Sequence, residues 1–220
     1  MPVTYEQVKH DPDVNAYIKQ ADLALETLGF TEHAYAHVTK AAVTAAMILQ
    51  TLGYPEREVE LARIAGYMHD IGNVVNRVDH AQSGALLAFR LLDHMGMPAN
   101  DIAVVISAIG NHDESTAAAV NPTAAALILA DKTDVRRTRV RNRDFATFDI
   151  HDRVNYAVEE SKLYFGEENK TITLELKIDT AMCAVMDYFE IFLQRMLLCR
   201  KAADYLHITF ELIINGQRLL

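Results

Sequence analysis

Four histidines and two aspartates at the ends of successive predicted helices are the residues of this chain whose types and spacing are suited to chemistry. They are His37, His69, Asp70, His80, His112 and Asp131. Imidazole nitrogens and carboxylate oxygens bind metal ions when several of them converge. Each candidate lies beside small or apolar residues, and burial of several titratable groups without a partner would cost several kcal/mol. Because one shared cation would compensate them together, the sequence predicts a metal site.

Helices are predicted to hold these side chains in place. Apolar residues recur at spacings of three and four through most of the chain, which is the pattern of stacked amphipathic helices. We expect the helix around His37 to begin near Thr31, a plausible N-cap. A later helix is expected to begin at Asn121-Pro122, a cap followed by a first-turn proline. Another helix is expected over about 152–165, ending before a glycine.

The last quarter of the chain changes character. Residues 171–178 alternate strictly between apolar and polar side chains, a helix is expected over about 180–201, and residues 206–212 alternate again. The predicted fold class is therefore mostly α, with a helical domain at 1–166 and a small C-terminal β-α-β appendage at 167–220. The strand edges and the apolar helix of this appendage predict self-association into a homo-oligomer.

The composition narrows the classes of partner and compartment. The 220 residues include 21 Lys+Arg and 30 Asp+Glu, a formal charge of −9, which argues against broad binding to nucleic acid or anionic membranes. Two cysteines are too few for a disulfide framework. The N-terminus lacks the features of a signal peptide, and the most apolar C-terminal helix is too polar to span a bilayer. We therefore expect a soluble cytoplasmic protein.

Five ordered segments between residues 30 and 142 make the sequence resemble the HD-domain metal-dependent phosphohydrolases. A His-Asp pair alone would mean little, whereas all five segments in order are a specific match. The segments are His37-Val38-Thr39-Lys40-Ala41-Ala42-Val43-Thr44-Ala45-Ala46, Tyr67-Met68-His69-Asp70-Ile71-Gly72, Asp79-His80-Ala81-Gln82-Ser83-Gly84-Ala85, Ala108-Ile109-Gly110-Asn111-His112-Asp113-Glu114 and Leu129-Ala130-Asp131-Lys132-Thr133-Asp134.

The resemblance implies an HD-domain helical bundle that binds one or two divalent transition-metal ions. One ion would be held by His37, His69, Asp70 and Asp131, and a second would use His80 and His112 with Asp70 as the bridge. Two such ions would lower the pKa of a bridging water and clamp phosphoryl oxygens during in-line attack. Mixed nitrogen and oxygen ligands without thiolate favour iron or manganese, with cobalt, nickel and zinc as alternatives.

Two departures from the family pattern narrow the substrate. Asn73 stands where many members have a lysine, so one phosphate contact is absent or supplied elsewhere. The glycine-proline signature of the cyclic-di-nucleotide phosphodiesterases does not follow His112, and the Glu-Asp motif of the alarmone hydrolases is missing. The resemblance is nearest to the small single-domain members, which include hydrolases of dinucleoside polyphosphates.

Positive residues follow the last predicted ligand. We predict Lys132 and Arg136 as catalytic residues that hold phosphate oxygens, together with the bridging carboxylate of Asp70. The remaining arginines of this run are interpreted as a solvated helix face; they are Arg137, Arg139, Arg141 and Arg143.

Three further residues have alternative interpretations. His33 lies four residues before His37 and is an alternative first ligand, although the Ala/Val pattern fits better from His37. Asp113 and Glu114 are interpreted either as supporting carboxylates or a general acid, or as part of a solvated loop.

The leading hypothesis is a metal-dependent phosphohydrolase that cleaves a phosphoanhydride or phosphomonoester bond of a nucleotide-like small molecule. A second hypothesis is a di-iron oxygenase, because a histidine and carboxylate site of this kind also activates dioxygen. A third is a non-catalytic metal-binding sensor or scaffold whose appendage binds a partner.

Overall fold

The computed structural model describes residues 2–114 and 116–220, and its first two thirds are helical. Short 3-10 turns lie at Ile71–Val74, Arg137–Arg139, Phe145–Thr147 and Glu167–Asn169. The helices of this part are α1 (Tyr5–His10), α2 (Pro12–Thr27), α3 (Tyr35–Thr51), α4 (Glu56–Met68), α5 (His80–His94), α6 (Ala99–Gly110), α7 (Pro122–Lys132) and α8 (Ile150–Ala157).

A four-stranded sheet and one long helix follow. The strands are β1 (Val158–Phe165), β2 (Thr171–Ile178), β3 (Thr209–Ile214) and β4 (Gln217–Arg218), and α9 (Val185–Tyr205) connects β2 to β3. The spatial order is β1-β2-β3-β4, with β2 and β3 parallel and the other two pairs antiparallel. This arrangement confirms the predicted β-α-β unit. A parallel pair of strands needs a long crossover connection, and α9 supplies it between β2 and β3. The fold is mostly α but not purely helical.

One predicted helix is wrong over half its length. The helix expected over 152–165 ends at Ala157, and Val158–Phe165 is a strand instead. This strand pairs antiparallel with β2, with Leu163 opposite Leu174. The pairing partner lies about ten residues further along the chain. Apolar spacing within the segment predicts a helix, but pairing with β2 makes it a strand.

The predicted start of the first histidine-bearing helix is also wrong. Helix α3 begins at Tyr35, and Ala34 occupies the N-cap position without a side-chain hydrogen bond. The backbone N–H of Glu32 donates to the carbonyl of Arg139, and that of His33 donates to the Asp22 carboxylate. These tertiary hydrogen bonds hold the segment before Ala34 outside the helix. By contrast, Asn121 caps α7 as expected, accepting a hydrogen bond from the N–H of Ala124.

One apolar core joins the helical part to the sheet. It includes Leu49 of α3, Leu129 of α7, Phe192 of α9 and Leu174 of β2, all fully or almost fully buried. The domain division at 166/167 stays a prediction, and β1 lies on the N-terminal side of it. Since α9 packs against α7 in this core, the appendage lies directly against a helix that carries a predicted ligand.

The outer surface of α9 leaves Met186 and Leu193 exposed, at 73% and 42%. The predicted self-association of the chain stays a prediction. Within the described residues, no helix is both long and apolar enough to cross a membrane.

Candidate metal centre

All six predicted ligands lie in one cluster, because one end of each helix that carries them reaches it. His37 is in the first turn of α3, His69 and Asp70 follow α4, and His80 begins α5. His112 follows α6, and Asp131 lies in the last turn of α7. The four imidazoles and Asp70 are buried, and the Asp131 side chain is 11% exposed.

The ligand atoms of His37, His69 and Asp70 form one group, and Asp131 lies beside it in a group with His69 and His112. Nε2 of His37 lies 3.3 Å from Nε2 of His69 and 3.3 Å from Oδ1 of Asp131. Oδ2 of Asp70 lies 3.2 Å from Nε2 of His69 and 3.6 Å from Nε2 of His37. These distances suit atoms that share one cation.

The other two histidines extend the cluster beyond Asp70. Nε2 of His80 lies 3.3 Å from Nε2 of His112 and 3.6 Å from Oδ1 of Asp70. The two oxygens of Asp70 therefore face different histidine pairs, which is the arrangement expected of a bridging carboxylate. The ligand atoms of Asp70, His80 and His112 all lie within 4.8 Å of one another.

The remaining ring nitrogen of each histidine touches an oxygen that can only accept a hydrogen bond. Nδ1 therefore donates, and in the neutral ring Nε2 carries the lone pair that faces the cluster. The Nδ1 contacts are His37 to the Asp134 carboxylate at 2.8 Å, and His69, His80 and His112 to the carbonyls of Gly66, Arg77 and Ile109 at 2.8, 3.0 and 2.6 Å.

A buried carboxylate oxygen tests whether a cation fits this cluster. Oδ2 of Asp70 is buried, and while His69 is neutral no residue in the described part of the chain gives it a hydrogen bond. An unsatisfied buried charge of this kind is strongly unfavourable. The imidazole lone pairs of His37 and His69 point to the same place as this oxygen. A divalent ion would satisfy all three atoms, so the residues fit the metal that their chemistry implies.

The pKa values of the histidines indicate which of them bind a proton. Burial by itself lowers the pKa of His69, but Asp70 and Asp131 outweigh it and raise the pKa to about 10. Burial lowers the pKa of His112 to about 3, and burial also lowers the pKa of His80. Without a metal ion, a proton is therefore favoured on His69 but not on His80 or His112.

The two predicted phosphate-binding cations lie in different places. Nζ of Lys132 is 2.7 Å from Oδ2 of Asp131, so Lys132 lies beside the ligand cluster. Arg136 turns away from it: its Nε donates to Oδ1 of Asp134 at 2.8 Å, and its Nη2 is 3.9 Å from Glu32. The structure thus brings Lys132, but not Arg136, together with the ligands.

The sequence profile of the HD domain family matches residues 34–136, a range that contains all six candidate ligands. Residues 34–136 are therefore an HD domain. The HD superfamily is one of metal-dependent hydrolases whose domains bind divalent ions, and the His/Asp cluster of this chain is its metal-binding candidate.

Two known proteins are similar to this chain. Uncharacterized protein MJ1020 of Methanocaldococcus jannaschii is 25% identical over 195 residues, which cover 78% of this chain and 74% of that protein. The crystal structure of a predicted HD superfamily hydrolase from an uncultured Thermotogales bacterium is 26% identical, covers 58% of this chain and 69% of that one, and superposes with a TM-score of 0.45.

Two glycines allow the HD pair to approach the next histidine. A Cβ on Gly72 would lie 2.0 Å from the carbonyl oxygen of His80 and 2.4 Å from the nitrogen of Gly84. Gly84 in turn lies close to the carbonyl of His69. The turn after Asp70 therefore packs directly on α5, which brings His80 within reach of the HD pair.

Asp134 is a supporting residue that the sequence interpretation missed, although it ends the fifth HD segment. Its side chain is fully buried and accepts from His37 and Arg136, while Nζ of Lys40 lies 2.8 Å from Oδ1. Burial raises the pKa of Asp134, but these hydrogen bonds and the positive charge of Arg139 lower it well below its ordinary value. Asp134 therefore orients His37 as an ionised carboxylate.

The run of arginines after Asp131 is not the solvated helix face that was expected. Arg137–Arg139 form a 3-10 turn, and Arg139 is buried, donating to the carbonyls of Glu32 and Asp134. The buried side chain of Arg139 therefore forms part of the wall of the site.

A cavity of about 280 Å³ opens in front of the HD ligands. Its lining includes three cationic residues that the sequence interpretation did not select, Arg77, Arg139 and Arg195. Nη1 of Arg77 donates to Oδ1 of Asn73 at 3.2 Å, and Nδ2 of Asn73 donates to Oδ1 of Asp70. Arg77, four residues further along the chain, thus places a positive charge beside Asn73. Asn73 is the position at which the family pattern has a lysine.

The alternative first ligand, His33, lines the cavity but lies outside the groups of ligand atoms. Its ring packs edge-on against His37 with centroids 5.5 Å apart, and Nδ1 contacts the carbonyl of Thr31. Glu114 contacts Lys132 and Arg195, so it belongs to the site rather than to a solvated loop.

Proposed function

We propose that this protein is a metal-dependent phosphohydrolase that cleaves a phosphoanhydride or phosphomonoester bond of a nucleotide-like substrate. The observation that carries the proposal is the convergence of four imidazoles and two carboxylates in one buried cluster. Divalent ions bound there would supply a water of lowered pKa and neutralise charge on phosphoryl oxygens.

The charges around the cavity support an anionic substrate. Within the lining, carboxylates and cations are equal in number, so that bound divalent ions would leave a net positive cavity. The charged lining residues are Asp70, Asp131, Asp149, Asp152, Arg77, Lys132, Arg139 and Arg195. Phosphate is a suitable anion because guanidinium and ammonium groups both donate to its oxygens.

Lys132 has the best position for stabilising the reacting group. Its Nζ is 2.7 Å from Asp131 and its side chain is 7% exposed. A positive charge fixed beside the ligand cluster, with little access to water, stabilises negative charge that develops on a phosphoryl oxygen. Asn73 holds Asp70 in place by donating to its carboxylate at 3.0 Å.

The size and lining of the cavity support a nucleotide-like molecule. A volume of about 280 Å³ lies near the lower end of the range for small-molecule pockets. Asp149 and Asp152 also line the cavity, and carboxylates accept hydrogen bonds from sugar hydroxyls. Phe30 adds an aromatic surface at the same opening.

Elemental analysis combined with a phosphate-release screen tests the proposal. We compare the natural protein with Asp70→Ala, Asp70→Asn and the control His94→Ala, whose histidine is exposed on α5. We expect bound transition metal and metal-dependent phosphate release from nucleotides in the natural protein and the control, and loss of both in the Asp70 variants.

Three results would contradict the phosphohydrolase proposal. Hydrolysis retained by metal-free Asp70→Ala protein would place the reaction elsewhere. Substrate-dependent oxygen uptake without phosphate release would favour the oxygenase hypothesis, while bound metal with neither activity would favour the sensor or scaffold.

A further inference from the structure

Helix α9 of the appendage places two side chains in the wall of the HD cavity. Phe192 and Arg195 lie three residues apart on the same face of the helix, and both line the cavity. Phe192 is 1% exposed, and the guanidinium of Arg195 lies 4.7 Å from the centre of its ring. This cation-π contact restricts the guanidinium to one orientation at the cavity wall.

The carboxylate of Glu114 lies between Arg195 and Lys132. Its Oε1 is 2.5 Å from Nε of Arg195 and 3.7 Å from Nζ of Lys132. Because Nζ of Lys132 also lies 2.7 Å from Asp131, this carboxylate oxygen is close to the ligand cluster.

Within the described part of the chain, the guanidinium of Arg195 has at least one N–H donor, that of Nε, without a hydrogen-bond acceptor. Its contact with Glu114 is an ion pair outside hydrogen-bond geometry, since Nε has no aligned acceptor among the described residues. The fork of a guanidinium offers five N–H donors and matches the oxygens of a phosphate in a bidentate manner.

We propose that Arg195 and Lys132 form an anion subsite at which a phosphate group of the substrate replaces the Glu114 carboxylate. The inference rests on the proposed function and assigns the appendage a part in substrate binding. Carboxylate and phosphate oxygens accept from the same donors, so Glu114 marks the position of the anion. A phosphate carries more negative charge than a carboxylate, and its bidentate contact with Arg195 favours the exchange.

The subsite defines the substrate class more closely. A phosphate that touches both Lys132 and Arg195 lies next to Asp131, on the side of the cavity formed by α7 and α9. The substrate therefore presents a phosphate group to the appendage.

Isothermal titration of inorganic phosphate into the full-length, manganese-loaded protein tests this subsite. The variants are Arg195→Ala, Arg195→Lys and Glu114→Gln, with Arg200→Ala as a matched control on an exposed position of the same helix. Metal content and the thermal unfolding midpoint are measured on each variant.

We expect Arg195→Ala to weaken phosphate binding by about tenfold or more, the size of a lost charged hydrogen bond. Arg195→Lys should restore part of the affinity, since it keeps the charge without the fork. Glu114→Gln should tighten phosphate binding several-fold, because it removes the competing negative charge. Arg200→Ala should match the natural protein, and all four variants should keep their metal.

Three results would overturn the inference, and the first two leave the proposed function standing. If the natural protein binds phosphate and Arg195→Ala binds it equally well, the subsite is wrong while the phosphohydrolase proposal stands. Weaker binding by Glu114→Gln would also show that Glu114 does not occupy the anion position. If the manganese-loaded natural protein binds no phosphate, both proposals fail.

Discussion

Nδ1 of His37 donates to Oδ2 of Asp134 over 2.8 Å, and this contact decides which way the imidazole faces. Because Nδ1 is committed to a buried carboxylate, Nε2 is left to face His69 and Asp131. Asp134 is in turn held by Lys40 and Arg136. Through this contact, the charged side chains that hold Asp134 also fix the orientation of His37, a predicted metal ligand.

Replacement of Asp134 tests this link. We expect Asp134→Asn to weaken metal binding by about 10- to 100-fold, as for other carboxylates that orient a ligating histidine. Competition with a chelator measures the affinity, and Asp204→Asn on an exposed position of α9 is the control. Equal affinities for the two variants would mean that Asp134 does not orient His37.

The metal-stripped protein should lose stability as the pH rises above neutrality. The pKa of His69 is about 10 in the folded state and 6.5 in the unfolded chain, so its bound proton stabilises the fold. This contribution is complete below pH 6.5 and is lost progressively as the pH rises towards 10.

Urea unfolding between pH 6 and 9.5 measures this loss of stability. Saturating metal should remove the dependence, because the metal takes the place of the proton. His94→Ala should behave as the natural protein does. A metal-stripped protein whose stability is constant over this range would contradict the assignment of the raised pKa to His69.

The close packing of Gly72 predicts that even a methyl group is not tolerated there. The Cβ of Gly72→Ala would overlap backbone atoms of His80 and Gly84. We expect a loss of several kcal/mol in the free energy of unfolding, together with weaker metal binding, because α5 must move away. Gly110→Ala is the matched control, since its Cβ would meet only the Cβ of Ala85 at 3.7 Å. Equal stabilities would show that the turn can shift without harm.

Arg136 should affect the metal and not the substrate. Since its guanidinium is paired with Asp134, we expect Arg136→Ala to weaken metal binding several-fold and to leave phosphate affinity unchanged at saturating metal. Titration of inorganic phosphate into the metal-loaded variant measures the second effect. A large loss of phosphate affinity there would restore the sequence prediction that Arg136 binds phosphate.

The sequence alone predicts the helical class, the β-α-β unit and six residues that the structure brings together. Helix periodicity depends on neighbours a few residues away, so α7 and its Asn121 cap are encoded locally. His69 and Asp70 are recognised because they belong to ordered segments of one family pattern.

Only the tertiary structure decided which supporting residues reach the site. Strand β1 depends on its pairing with β2, and Glu32 is held outside α3 by a hydrogen bond to Arg139, more than a hundred residues away. Arg136 was placed by its nearness to Asp131 in sequence, yet the side chain turns to Asp134. Arg195 reaches the cavity because α9 packs on α7. Such contacts join residues that are distant along the chain, and no local pattern records them.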